Sequence, residues 1–335
     1  MRRFIVKLLL YLSPLILLTG YYFYKDPFRV LYHYETYYPV SDTSYFELDD
    51  DYVTMQTFIQ NYPKYHYDSY ILGSSRSDNY FVSEYGKHVQ SDKCYHLSAA
   101  YESLYGLERK MHFLNERKYT INNVLIILDN ELLGKVKNDV GHITVMHPLL
   151  SGESMLTFQL EFLKDFFDKD FLFAYLDLNF TGHLHPLIIA RQVMSKVTFH
   201  YDVSANEFYW AGLEKEIANN NYYNSREHIF YKRDSVLHYA KPVIGVEQKK
   251  LLNNIKAILD ENHAKYKIVI SPLYNQLKID TADLKALKNI FTNELVFDFS
   301  GINDLTSDRS NYYEASHYRP EACTKIMNRI YGNQQ

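Results

Sequence analysis

Val124-Leu125-Ile126-Ile127-Leu128 is apolar at every one of its five positions. A strand with one wet face alternates polar and apolar residues. An unbroken apolar run of this length fits a strand covered on both faces, the kind found in parallel sheets. Parallel strands need long crossover connections, usually helices packed on both sides of the sheet. The flanking sequence supplies both elements. Residues 70–72 and 93–98 read as earlier strands, and 268–270 and 295–299 as later ones. Residues 104–115, 247–262, 281–291 and 322–330 have helical spacing, with Leu251, Leu252, Ile255 and Ile258 on one face of the second. The expected fold class is α/β, a flavodoxin-like three-layer sandwich around a central parallel sheet. Ligands on such sheets bind at the carboxyl ends of the strands.

The N-terminus sets where this domain sits. Arg2 and Arg3 precede an apolar run from Ile5 to about Phe23, interrupted by Lys7 and Pro14. About 20 apolar residues span a bilayer, and Arg2, Arg3 and Lys7 put the N-terminus on the cytoplasmic side. The run ends in Gly20-Tyr21-Tyr22-Phe23-Tyr24, an interfacial aromatic belt, with no small-x-small cleavage site. Residues 1–24 therefore read as an uncleaved signal anchor touching the membrane through 4–24, with a cleaved signal peptide as the alternative. The C-terminal mass is expected in the periplasm or outside the cell. Residues 25–66 read as a stalk and lead-in helix, begun by Asp49-Asp50-Asp51 and closed by Pro63. Residues 67–335 form the main domain. Its alternation breaks over about 138–240, read as a cap or mobile lid, with an amphipathic helix at 154–167.

A net charge of −4 gives no nucleic-acid footprint. Tyrosine supplies 33 of the 335 residues, which suits a glycan-binding surface or reflects strand propensity and compositional habit. Cys94 and Cys323 make either one bridge or two small buried hydrophobes. His183 and His185 alternate, but no acid or cysteine nearby completes a metal set, and no metal or other cofactor is expected.

Two segments carry chemistry. Tyr70-Ile71-Leu72-Gly73-Ser74-Ser75-Arg76 reads as a strand stopping at a glycine, with two serines past its end. Glu314-Ala315-Ser316-His317-Tyr318-Arg319-Pro320 places an acid three residues before a histidine. A serine nucleophile, an imidazole base and a carboxylate that fixes the imidazole's tautomer form an acyl-transfer set. Ser74 can cap the turn and leave Ser75 free. Asp304 or Asp308 could replace Glu314 if the loop folds differently.

In order and spacing these segments resemble the first and last sequence blocks of the SGNH (GDSL-like) hydrolase superfamily. Behind an N-terminal anchor, the Gly-Ser-Ser variant is similar to its extracytoplasmic branch, which includes the teichoic-acid D-alanyl transfer protein and exopolysaccharide O-acetyltransferases. The resemblance implies Ser75 as nucleophile, His317 as base and Glu314, in place of the family's Asp, as orienting acid. It implies an oxyanion hole from the Ser75 N–H, a donor near Ala100 where the family has glycine, and the Asn130 side chain. Arg76 would hold an anionic or carboxylate-bearing substrate. The implied function is a membrane-anchored serine esterase or O-acyltransferase, with an acylated small molecule or membrane acyl-donor protein as donor and a glycan or other envelope polymer as acceptor. The rival readings are an inactive SGNH-like protein that binds glycan or scaffolds a polysaccharide-modification complex, and a plain flavodoxin-like binding domain.

Overall fold

Strands β1 (Ser69–Ser74), β2 (Cys94–Ala99), β3 (Asn123–Leu128), β4 (Lys265–Ile270) and β5 (Val296–Asp298) pair in parallel, in the spatial order β2-β1-β3-β4-β5. The computed structural model describes residues 1–38, 43–44, 48–139, 141–190, 197–219 and 222–332. Parts of the expected lead-in (39–42, 45–47) and of the expected cap (140, 191–196, 220–221) lie outside the described residues.

The sheet is buried on both faces, so its strands read as apolar runs. Tyr70, Leu72, Val124, Ile126, Leu128, Ile268 and Ile270 enter one apolar cluster. Their neighbours Ile71, Leu125, Ile127 and Val269 enter the other, as the period of two requires. The helices Leu104–Glu116, Val246–Glu261 and Thr281–Phe291 cover the first face through Leu107, Met111, Leu252, Ile255, Leu287 and Phe291. The helices Val82–Val89 and Pro320–Tyr331 cover the second through Val82, Tyr85, Ile326 and Met327. Crossovers between parallel strands are right-handed. The step from β1 to β2 runs opposite to the three later steps, so its helix, Val82–Val89, lands on the opposite face.

The lead-in helix Asp50–Tyr65 begins where the acidic triplet predicts, with Asp49 accepting the Tyr52 N–H at 2.7 Å. It runs past Pro63 to Tyr65 and packs on the sheet through Met55 and Phe58. N-terminal to it stands Arg2–Lys25, a helix of 24 residues. Its Arg3–Lys25 portion is long and apolar enough to cross a membrane, with a mean hydropathy of 1.8 and none of the apolar window buried. A third cluster joins Tyr22, Phe28, Tyr37 and Tyr52 to Phe158, Phe162, Phe166, Phe171 and Tyr175 of the helices Met155–Phe166 and Lys169–Thr181. The first half of the stretch expected as a cap thus packs against the lead-in. The second half holds a hairpin of His200–Asp202 with Glu207–Tyr209 and the helix Ala211–Ala218.

Lys110 ties three of these parts together. Its side chain is fully buried, and Nζ lies 2.9 Å from Asp51 and 2.5 Å from Glu102. Burial disfavours the ammonium, but the two carboxylates outweigh it and hold the Lys110 pKa above its ordinary value. Gly106 makes the arrangement possible, because a Cβ there would stand 2.0 Å from Glu102 Oε1. Breaking a buried pair by removing one partner leaves uncompensated charge. Lys110→Met should therefore lower the unfolding free energy by about 3–5 kcal/mol. Urea unfolding of the detergent-solubilised chain measures this. A loss below ~1 kcal/mol would show that water reaches the carboxylates.

Candidate active site

β1 lies between β2 and β3, and their connections leave on opposite faces. The crevice at the carboxyl ends of β1 and β3 is the switch point where doubly wound sheets hold ligands. Ser75 stands there, at the start of the one-turn 3₁₀ helix Ser75–Ser77. The turn approaches the sheet closely because residue 73 is glycine. A Cβ on Gly73 would lie 2.9 Å from Ser77 Cβ and 3.1 Å from Ile127 Cβ. Ser74 caps the turn by accepting the Arg76 N–H at 3.4 Å. Below it, Ser77 Oγ donates to the Ser74 carbonyl at 2.8 Å and so accepts from His96 Nε2 at 2.9 Å.

His317 arrives from 242 residues away, with Nε2 at 2.8 Å from Ser75 Oγ. Its Nδ1 lies 2.5 Å from Glu314 Oε1, which also accepts the Ser316 N–H at 3.0 Å. Burial would raise the Glu314 carboxyl, but the hydrogen bond and charge of His317, with the Ser316 and His317 N–H groups, hold it below its ordinary value. A carboxylate on Nδ1 places the proton there and leaves the Nε2 lone pair for Ser75. Glu314 and His317 sit on one tight turn, in which Tyr313 donates to the His317 carbonyl at 2.9 Å and Tyr312 bridges to Tyr318.

The three residues expected to form a relay are thus brought together. Asp304 and Asp308 are elsewhere. Asp304 pairs with Arg329, and Asp308 caps the short turn Arg309–Asn311 through the Ser310 N–H. The expected oxyanion donors follow the carboxyl ends of the neighbouring strands β1, β2 and β3. The Ser75 N–H heads its turn, where no intrahelical acceptor exists. Ala100 follows the pair Ser74–Ala99 that closes the β1–β2 ladder. At Tyr101 φ is 54°, the left-handed region that glycine enters without strain. Asn130 starts the turn Asn130–Gly134 after β3, and its Oδ1 is buried with no hydrogen-bond partner among the described residues.

Arg76 faces inward. One nitrogen lies 2.5 Å from Asp129 and another 2.8 Å from Glu131. Its charge is matched within the protein, and the pair pins the Ser75 turn to the end of β3. Cys94 and Cys323 are both free and buried.

Several supports carry no sequence signal. Asn79 Nδ2 donates to the Tyr318 carbonyl at 2.8 Å, a second tie between the serine turn and the histidine loop. Glu214 accepts Tyr313 Oη at 2.5 Å and Arg319 Nη2 at 2.6 Å. Tyr222 Oη donates to the Tyr313 carbonyl at 2.6 Å. A cavity of about 730 Å³ opens beside this loop, walled by Phe230, Tyr231, Arg233, Tyr274 and Arg309. Tyr274 borders the loop directly, its N–H 3.3 Å from the Ala315 carbonyl. No protein-family model matches the chain, and no curated protein matches it.

Two predictions follow from the serine turn. Gly73→Ala should cost about 1–3 kcal/mol through overpacking, whereas Gly134→Ala, whose Cβ meets Val243 at an ordinary 3.7 Å, should cost far less in the same urea titration. Burial, with the Lys110 charge beside it, pushes the His96 pKa down to about 3. The unfolded chain takes up that proton near pH 6.5, so the stability due to neutral His96 is complete above about pH 6.5 and is lost as pH falls toward 3. His96→Gln, which retains a donor for Ser77, should remove about one proton from the slope of stability against pH between ~4 and ~6. An unchanged slope would mean His96 is already protonated when folded.

Proposed function

We propose that the chain is a membrane-anchored serine acyl-transfer enzyme of the SGNH type, an esterase or O-acyltransferase acting outside the cytoplasm on an envelope glycan or similar polymer. The observation that carries this reading is the unbroken hydrogen-bonded series Ser75–His317–Glu314 at a sheet switch point. Ser75 Oγ attacks the acyl carbonyl carbon while His317 Nε2 takes its proton. The Ser75 N–H, a donor near Ala100 and the Asn130 amide face the developing oxyanion. Collapse of the tetrahedral intermediate expels the donor's alcohol or thiol, which leaves with the proton from His317. The acyl group is now an ester on Ser75. A hydroxyl of the acceptor, or water, then loses its proton to His317 and attacks that ester. Collapse returns the proton to Ser75 Oγ. His317 and Glu314 side chains are each 38 % exposed, which leaves the relay open to solvent and supports access by a substrate.

The membrane part of the reading rests on the length and apolarity of Arg3–Lys25 and on the basic residues before it. The matched charge of Arg76 and the missing glycine at Ala100 are what favour the inactive, glycan-binding alternative.

Single-turnover acylation by an activated ester, with fluorophosphonate labelling beside it, tests the reading. Ser75→Ala and His317→Ala should each abolish acylation, and the double variant should lose little more, because the relay acts as a unit. Glu314→Gln should keep the fold and slow acylation by about a thousandfold or more, since it destroys the tautomer that exposes Nε2. Glu314→Asp should retain part of the rate. A folded Ser75→Ala that reacts like wild type sinks the nucleophile assignment. A wild type inert to every ester and phosphonate favours the binding protein.

A further inference from the structure

We propose that the helical pair Met155–Phe166 and Lys169–Thr181 lies in the membrane interface as a second, non-spanning contact that fixes the domain against the bilayer. The inference rests on the reading that Arg3–Lys25 spans the membrane. In each helix one apolar stripe is spent inside the protein and another is left outside. Phe158, Phe162 and Phe166 recur every fourth residue and are buried, while Leu156 and Leu160, also four apart, are 71 % and 51 % exposed. In the second helix Phe171, Ala174 and Tyr175 are buried, while Phe173 and Phe180, seven apart on one face, are 70 % and 80 % exposed.

The position of these stripes identifies what covers them. From Arg3 to Tyr22 a helix rising 1.5 Å per residue extends about 29 Å, close to the ~30 Å hydrocarbon thickness of a bilayer. With the arginines at the inner boundary, Tyr21 and Tyr22 stand at the outer one. That turn touches the pair directly, with Tyr22 and Phe166 ring centroids 5.1 Å apart and Tyr21 and Tyr175 6.2 Å apart. Phe173 and Phe180 lie two and five residues from Tyr175, within about two helical turns of that contact, on the outward face of the same helix. The exposed stripes thus sit on two helices that pack against the outer end of the membrane helix, where an interfacial contact would lie. Lys164 and Lys169 are outnumbered by Glu161, Asp165, Asp168, Asp170 and Asp177, so the contact is apolar and needs no anionic lipid.

The test uses the full chain in phosphatidylcholine vesicles. Cys94 and Cys323 are buried, so an environment-sensitive dye can be placed on Phe173→Cys, Phe180→Cys, Leu10→Cys and, as a water-facing reference, Val246→Cys, whose native side chain is 82 % exposed. Spin-labelled lipids then report depth. The expected result is blue-shifted emission at 173 and 180 quenched most by a headgroup-level label. Position 10 should be quenched most by a deep label, and position 246 by neither. Added salt should leave the pattern unchanged. Quenching at 10 with none at 173 and 180 overturns the interfacial contact and leaves the anchor standing. No quenching at 10 overturns the anchor itself. Blue shift at 173 and 180 without lipid quenching, but with energy transfer between differently labelled copies, overturns the proposal in favour of self-association.

Discussion

Everything at the carboxyl edge of this sheet depends on one reversal of direction. β2 is laid down on one side of β1, and β3 on the other. Because crossovers keep one hand, the reversal sends the chain to opposite faces after β1 and after β3. No helix can roof the gap between those two ends, and two segments distant in sequence enter it. The Ser75 turn follows β1 directly, and the His317 loop reaches it from beyond β5. Their meeting is a property of topology, and a single pair of facing loops is enough to build a relay.

Topology alone leaves loop ends free to move by an ångström or more, enough to spoil proton transfer. Here each end is held by polar ties inside the protein. Arg76 hooks the serine turn to Asp129 on β3, and Asn79 hooks its far end to the Tyr318 carbonyl. Glu214, from a helix about a hundred residues before the loop, holds Tyr313 and Arg319 on either side of Glu314 and His317. Arg76 is therefore better placed to position the turn than to recruit an anion. Its side chain is only 14 % exposed and already carries two carboxylate partners.

The strands and the relay were legible in the sequence because both obey local rules. A strand buried on two faces favours apolar residues, which located β3 to within one residue and β1, β2, β4 and β5 to within a few. Gly73 was legible as punctuation, although the close approach of Ser77 that demands it was not. Glu314 and His317 share one turn, so their spacing carried the geometry. What stayed hidden is non-local. The helix Val82–Val89 is short and buries mainly Val82 and Tyr85, too few to show a period. Lys169–Thr181 carries apolar residues on opposite faces, so no single face stands out. Lys110 looks like any surface lysine of an amphipathic helix until Asp51 and Glu102 are brought to it. The pairing of Asn79 with Tyr318 spans 239 residues and follows no pattern.

The lead-in helix packs both on the helical pair beside the apolar N-terminal helix and on the strands that lead to the crevice. Within four consecutive residues it serves both. Asp51 meets the buried Lys110, and Tyr52 stacks on Phe158 of the helical pair at 5.3 Å. Thr54 donates to the Ser98 carbonyl on β2 at 3.0 Å and accepts Tyr95 Oη at its own carbonyl at 2.9 Å. Glu102, the other partner of Lys110, lies in the turn that follows β2 beside Ala100. A hinge at the lead-in would have to break a buried charge pair, at a cost of several kcal/mol, together with this aromatic packing. In the proposed arrangement the height of Ser75 above the bilayer is therefore set by packing instead of by tether length. An acceptor polymer would have to present its hydroxyls at that height, and an acyl donor embedded in the membrane would meet the relay at a fixed distance. A flexible stalk would sample many heights and favour neither.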